Sequence, residues 1–130
     1  MSAQAQQLKI MLDLQDAMNT KVTANWQQQG YEWYRAIWVE CAELMDHYGW
    51  KWWKKQSPDT EQVALELIDI WHFGLSILLQ SDASQDDIIA RLQREGLGAL
   101  AGPRAPVDGV ADADVAAALA ALAAHAEAAA

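Results

Sequence analysis

The sequence predicts an all-α protein, and three observations support this fold class. No segment shows the strict apolar–polar alternation of a half-buried strand. Apolar residues instead recur at helical spacing in four segments, which glycine, serine or proline residues separate. The longest apolar run, VALELIDIWHFGLSILL from Val63 to Leu79, is too long for an ordinary strand. We therefore predict that this run forms a helix buried on nearly every side.

The first two helices are placed by apolar spacing and by glycine. Helix one is predicted over residues 4–19, where leucine and methionine recur along one side. Helix two is predicted over residues 31–48, starting directly after Gly30. Gly49 should end it, because glycine readily adopts the left-handed conformation that closes a helix.

The last two helices carry recognisable N-terminal caps. Helix three is predicted to start where Ser57 or Asp59 can accept hydrogen bonds from the first turn, and to end near Gln80. Helix four is predicted over residues 85–95, because Ser84 starts a capping-box pattern and a glycine follows the last turn.

The composition divides the chain into three parts. Residues 1–95 are predicted to form one helical core, and a chain of 130 residues is long enough to bury such a core. Residues 96–111 are rich in glycine and proline and are predicted to be a linker. Residues 112–130 are mostly alanine, which favours a helix but offers little area to bury. We expect a helical tail there.

The charge and the N-terminus indicate the environment. The chain has 18 acidic residues against nine lysines and arginines, so a nonspecific nucleic-acid or anionic-membrane partner is disfavoured. Cys41 is the only cysteine, which excludes an intrachain disulfide, and we expect it in the core. The N-terminus lacks the basic start of a signal peptide, and no run reaches the roughly 18 apolar residues of a membrane span. We expect a soluble cytoplasmic protein.

Two pairs of carboxylates are the most informative polar residues. Glu40 and Glu43 lie three residues apart in helix two, and Glu66 and Asp69 have the same spacing in helix three, so each pair shares a helix face. Carboxylates on apolar helices need a cation, because burial alone disfavours their charged form. We predict a divalent metal site between the two acidic helices. His72, one turn beyond Asp69, is expected to be a core or dimer-interface residue rather than a ligand.

The strings around these pairs are specific. RAIWVECAELMDHYGWKWWKK surrounds the first pair, LELIDIWHF contains the second, and LQDAMN lies upstream. Together they resemble the all-α dimeric dUTPases, which belong with the MazG-like nucleoside triphosphate pyrophosphohydrolases. Their signature is E-x-x-E, a spacer and E-x-x-D, and here the spacer has 22 residues. The resemblance covers about residues 8–79 and implies a MazG-like helical bundle that forms a homodimer.

The resemblance also implies a reaction. Members of this family hydrolyse dUTP to dUMP with release of pyrophosphate, and acceptance of dUDP is expected as well. The resemblance makes Glu40, Glu43, Glu66 and Asp69 both the catalytic residues and the metal ligands. Carboxylate oxygens suit Mg²⁺, with Mn²⁺ as a possible substitute.

Five further residues are implied to contact the substrate. Gln15 and Asn19 match the family's first motif, in which a glutamine and an asparagine read the edge of uracil. Each amide offers a donor and an acceptor, as that edge requires. Lys51 and Lys54 are expected to contact the phosphates, and Trp53 is expected to pack against the nucleoside.

One departure and two alternatives accompany this interpretation. The family carries a late motif of lysine, asparagine, arginine and tyrosine that closes over the substrate, and nothing after Gly96 matches it. We therefore expect a C-terminally shortened chain that turns dUTP over slowly. The alternatives are a MazG-like pyrophosphohydrolase for dCTP or noncanonical nucleotides, and a non-catalytic helical dimer.

Overall fold

The computed structural model describes residues 1–96, and this part of the chain contains four α-helices. They are α1 (Ala3–Val22), α2 (Trp33–Tyr48), α3 (Thr60–Gln80) and α4 (Gln85–Arg91). No strand occurs within residues 1–96, and the predicted all-α fold class is confirmed. The predicted linker and tail, apart from position 96, lie outside the described residues.

The helix ends follow the predicted caps closely. Asp59 is the cap of α3, because its carboxylate accepts the backbone N–H of Gln62 at 3.2 Å. The Ser84 hydroxyl oxygen accepts the backbone N–H of Asp87 at 3.2 Å and thereby caps α4. Gly49 ends α2 in the left-handed conformation, with φ of 77°. Local sequence thus sets the end of α2 and the start of α3, the two helices that carry the acidic residues, and also the start of α4.

Helix four differs from its prediction. Regular α-helical bonding ends at Arg91, and Leu92–Gly96 forms a π-helical turn instead of a continuation of α4. The backbone N–H of Leu92 still bonds to the carbonyls of Ile88 and Ile89, so α-helical bonding reaches the first residue of the π-helical turn. The other deviations are small: α1 runs three residues further than predicted, and α2 starts two residues later.

The hydrophobic core lies between α1, α3, α4 and a 3₁₀ turn at Trp26–Gln28. Its buried apolar side chains are Ala5, Leu8, Leu12, Trp26, Leu75, Leu79, Ile88 and Ile89. The Trp26 indole N–H donates to the Asp16 carboxylate at 2.9 Å, so the only polar atom of this buried ring is paired. Burial of a large apolar side chain stabilises the fold by about 1.5–3 kcal/mol, so this cluster is the main source of stability.

Helix α2 contributes no buried residue to the chain. It packs mainly against α3 and leaves Trp38 and Val39 74% and 54% exposed. Cys41, which was expected in the core, is exposed on the same helix. The prediction that α3 is buried on nearly every side is also wrong for the single chain, since Leu65 and Ile77 are exposed. Helices α1, α2 and α4 cover only part of α3.

Helix α3 is the one helix of the described residues that is long and apolar enough, by length and composition, to cross a membrane. The sequence-based statement that no run reaches this length is therefore wrong by this measure. The 21-residue helix holds Glu66 and Asp69 among many apolar residues, which leaves its average strongly apolar. Core helices of soluble proteins pass the same test, and α3 packs against α1 and α2, so this signal is weak.

Substitution of Gly74 by alanine tests the packing of α3. A Cβ atom there would meet nothing within 4 Å, and glycine inside a helix costs about 0.5–1 kcal/mol relative to alanine. We expect Gly74→Ala to raise the free energy of unfolding by that amount, measured by urea denaturation. Gly49→Ala is the matched control and should destabilise, because φ is +77° and the new Cβ would lie 3.0 Å from Gln56 Cβ. A destabilised Gly74→Ala protein would show that another surface covers this position.

Candidate metal and nucleotide site

Three of the four predicted carboxylates meet where α2 packs against α3. One carboxylate oxygen from each of Glu40, Glu43 and Glu66 lies within 4.8 Å of the other two. Glu40 and Glu43 reach this point together because they lie one turn apart on α2. Burial increases across the cluster: Glu43 is exposed, Glu40 is half-buried and Glu66 is only 6% exposed. We call these three residues the acidic cluster.

Asp69 lies at the edge of the acidic cluster rather than within it. Its side chain is exposed, and its oxygens are not part of the group within 4.8 Å. Its negative charge nevertheless raises the pKa of Glu40, so it acts on the same site. The predicted set of four is thus brought together as three converging carboxylates and one peripheral carboxylate.

The acidic cluster holds more negative charge than its surroundings balance. The pKa of Glu40 rises from 4.5 to about 7, first because burial disfavours its charged form and then because it shares a hydrogen bond with Glu66. The negative charges of Glu43, Asp69 and Glu66 raise this pKa further. A proton is therefore retained near neutral pH at a place where a divalent cation would fit. Three converging carboxylate oxygens are the donor set that a hard cation such as Mg²⁺ prefers.

His47 belongs to this site, and the sequence analysis missed it. Its Nε2 atom lies 3.4 Å from Oε1 of Glu66, on the last turn of α2. A signal was available, because positions 40, 43 and 47 follow the i, i+3, i+7 spacing of a single helix face. The imidazole pairs with Glu66 as an ion pair only when it is protonated.

An open cavity of about 500 Å³ adjoins the acidic cluster. Its polar lining comes from Glu43, Asp46, His47 and Lys51, and its apolar lining comes from Val39, Ala42, Met45 and Trp50. The Lys51 ammonium lies 3.6 Å from the Asp46 carboxylate, and its backbone N–H donates to Gln56 Oε1 at 2.8 Å. Lys51 therefore faces the same cavity as Glu43, beside the candidate metal ligands.

Trp53 and Lys54 occupy a different position from Lys51. Neither residue lines the cavity beside the acidic cluster. The Trp53 ring packs edge-on against Trp50 and Trp52, with centroid distances of 5.3 and 4.5 Å, and remains 59% exposed. The Lys54 backbone N–H donates to the Lys51 carbonyl at 3.2 Å and forms a turn. The structure therefore brings one of the three predicted loop residues to the cavity.

Gln15 and Asn19 lie in a buried polar network between α1 and α3. They are only 4% and 9% exposed, and their amides hydrogen-bond each other at 3.0 Å. Asn19 also bonds to Ser76, which sequence reasoning did not select, because its role depends on how α1 crosses α3. His72 is half-buried, and its Nδ1 atom lies 2.6 Å from Gln15 Oε1. Within the described residues His72 is thus part of this amide network and not of the acidic cluster.

A family model described as dUTPase matches residues 7–106, which is more than half of the chain. This model represents the all-α dUTPase family. The chain belongs to the all-α dUTPase family. The match supports dUTP hydrolysis in general as the activity of this dUTPase-family protein. It extends beyond the resemblance over residues 8–79 that the motifs carry. No curated protein matches the chain.

The raised pKa of Glu40 predicts how the stability of this dUTPase-family protein depends on pH without metal. Between pH 4.5 and about 7 the folded state holds a proton that the unfolded state has released. The stabilisation that comes from this proton is fully present below pH 4.5 and is lost as the pH rises through about 7. Thermal unfolding with a chelator should therefore show a falling melting temperature over this interval. Glu40→Gln should remove this contribution.

Glu61→Gln is the control for that experiment. Glu61 is an exposed residue on the first turn of α3 and lies outside the acidic cluster. The melting temperature of the Glu61→Gln protein should depend on pH in the same way as that of the unchanged protein. Identical pH profiles for the unchanged protein and Glu40→Gln would contradict a proton held by the acidic cluster.

Proposed function

We propose that this protein hydrolyses dUTP to dUMP and pyrophosphate in a Mg²⁺-dependent reaction, and that it also accepts dUDP. The observation that carries the proposal is the convergence of Glu40, Glu43 and Glu66 beside a cavity that also contains Lys51. Family membership supports dUTP as the substrate, and the acidic cluster is the proposed metal site. The proposed place of action is the free nucleotide pool of the cytoplasm.

The metal site would use the acidic cluster together with Asp69. Glu40, Glu43 and Glu66 supply the converging oxygens, and Asp69 supplies a further carboxylate at the edge. Bound Mg²⁺, or Mn²⁺ in its place, would neutralise phosphate charge and lower the pKa of the attacking water. The burial of Glu66 and its pairing with His47 fix one ligand, and the exposed Glu43 leaves the side towards the cavity open.

Cations of the chain would bind the phosphates. The ammonium of Lys51 faces the cavity and is 3.6 Å from Asp46, a loose contact that a phosphate oxygen can replace. Lys54 and Trp53 lie on the same short loop, and we propose that they complete the contacts to the phosphates and the nucleoside once substrate is bound. The acidic cluster itself repels triphosphate, so binding requires the divalent cation.

Base recognition would come from Gln15 and Asn19. Both amides are held in the network between α1 and α3, and each still has one N–H and one oxygen lone pair beyond the bonds within that network. Uracil presents a donor flanked by two acceptors, which is the pattern that such amides can match. In the proposed role, these remaining N–H groups and lone pairs would bind the edge of uracil.

We propose that the functional unit is a homodimer. The exposed face of α2 carries Trp38, Val39 and Met45, with exposures of 74%, 54% and 46%. Several large apolar side chains exposed on one helix are more typical of protein interfaces than of monomer surfaces. The same face lies next to the acidic cluster, so a second copy would also border the cavity.

Glu66→Gln tests the metal site. The substitution keeps the shape of this buried side chain but removes the charge, so Mg²⁺-dependent nucleotide binding should be lost in calorimetry while the fold remains. In the unchanged protein, Mg²⁺ at about 100 times its Kd should raise the free energy of unfolding by about 2.7 kcal/mol. Glu61→Gln, on the same helix but outside the cluster, should behave as the unchanged protein. Absence of metal binding at millimolar Mg²⁺ with nucleotide present would refute the site.

The activity is tested by pyrophosphate release over a panel of dUTP, dCTP, dTTP and ATP, with and without Mg²⁺. We expect release from dUTP in preference to the others and only when Mg²⁺ is present. Preferential release from dCTP would favour the alternative pyrophosphohydrolase. Nucleotide binding without release from any member of the panel would favour a non-catalytic protein.

Trp38→Glu tests the dimer. Light scattering of the unchanged protein at micromolar concentration should give the mass of two chains. A charge at the centre of an apolar interface should weaken association by about 2 kcal/mol or more and shift the mass towards one chain. Val22→Glu, at an 83% exposed position at the end of α1, is the control and should not change the mass. A monomer mass for the unchanged protein would contradict the proposal.

A further inference from the structure

Four side chains form a closed ring of hydrogen bonds between α1 and α3. The Ser76 hydroxyl donates to the backbone carbonyl of His72 at 3.2 Å, and Asn19 Nδ2 donates to Ser76 Oγ at 2.9 Å. Gln15 Nε2 donates to Asn19 Oδ1 at 3.0 Å, and Gln15 Oε1 lies 2.6 Å from His72 Nδ1. The ring therefore begins at the backbone of His72 and ends at its imidazole.

The backbone carbonyl sets the direction of every bond in this ring. A carbonyl can only accept, so it uses the single proton of the Ser76 hydroxyl, and Ser76 Oγ must then accept from Asn19. Asn19 must turn its nitrogen to Ser76 and its oxygen to Gln15. Gln15 must in turn present its oxygen to His72, so His72 Nδ1 carries a proton. A flip of one amide alone would place two donors or two acceptors against each other, and a flip of both would lose the bond from Ser76 to the carbonyl of His72.

Water cannot easily relieve such a mismatch. Ser76 is fully buried, and Gln15 and Asn19 are 4% and 9% exposed. A buried donor or acceptor without a partner is strongly disfavoured, so the ring holds both amides in one orientation. An amide whose orientation is fixed offers its remaining N–H and lone pair at fixed places.

A fixed pattern of donors and acceptors separates uracil from cytosine. Uracil has a ring N–H between two carbonyl oxygens, whereas cytosine has an unprotonated ring nitrogen beside an amino group. The two bases thus present opposite patterns at two adjacent positions, and freely flipping amides would suit both. We infer that His72 and Ser76 are positioning residues that make Gln15 and Asn19 select uracil, an inference that rests on the proposed function of those amides.

The competing explanation is that the ring only holds α1 against α3. Loss of such a purely structural contact would lower stability or would reduce kcat/KM for every nucleotide by the same factor. Loss of amide orientation instead changes the ratio between dUTP and dCTP. The ratio of the two kcat/KM values therefore distinguishes a positioning role from a structural one.

The experiment compares kcat/KM for dUTP and dCTP, with melting temperatures, in variants of α3. Ser76→Ala and His72→Leu should each reduce the dUTP to dCTP ratio by about 10-fold or more, because the amides lose the partners that orient them. His72→Asn places an amide N–H near the position of Nδ1 and should restore most of the preference. Gly74→Ala lies on the same helix outside the ring and should keep the unchanged ratio.

A second readout does not depend on activity. Nitrogen-15 NMR of the histidine side chains should show His72 protonated at Nδ1, and Ser76→Ala should shift the side-chain amide signals of Gln15 and Asn19. An unprotonated Nδ1, or an unchanged dUTP to dCTP ratio in folded Ser76→Ala and His72→Leu proteins, would overturn the inference. If the unchanged protein neither binds nor hydrolyses dUTP, the proposed function fails, whereas the tautomer of His72 still tests the ring by itself.

Discussion

Negative charge concentrated at the contact between α2 and α3 constrains the rest of this structure. Glu40, Glu43 and Glu66 have oxygens within 4.8 Å of one another, and burial together with these neighbouring carboxylates raises the pKa of Glu40 to about 7. Carboxylates this close repel one another when all are charged, so a proton is held at Glu40 near neutral pH. Packing of α2 against α3 keeps these carboxylates close together, so a cation bound among them would relieve their repulsion. The proposed divalent cation would take the place of that proton and balance the charge of the acidic cluster.

The stabilising core and the site use different parts of the helices. The core joins α1, α3 and α4, and its most buried side chains, such as Leu12 and Leu75, lie away from α2. Helix α3 serves both purposes, because one part of its surface packs into the core while Glu66 faces α2. The amide ring adds a third role to α3, since His72 and Ser76 tie it to α1. One apolar helix with a few polar positions therefore links the core to the acidic cluster and to the amide network, the sites of the proposed metal binding and base recognition.

The sequence predicted what depends on local spacing and failed where tertiary arrangement decides. The caps at Asp59 and Ser84 and the pairing of Glu40 with Glu43 depend on neighbours within one turn, and the structure has them. The peripheral position of Asp69 depends on the rotation of α3 about its own axis, which spacing does not give. The partners of the predicted amides depend on the crossing of two helices 57 residues apart in sequence. The exposure of α3 was missed because apolar residues lie on more of its surface than the other described helices cover.

The absence of buried side chains from α2 affects how this helix can open locally and how well the core tolerates substitutions on it. Local opening of a helix costs the contacts that it breaks, and the contacts of α2 are mainly with α3, so α2 can open without disturbing the contact between α1 and α4. Two members of the acidic cluster therefore lie on a helix that has no buried residue of its own. Substitutions at exposed positions of α2 outside the acidic cluster should therefore leave the core of α1, α3 and α4 intact.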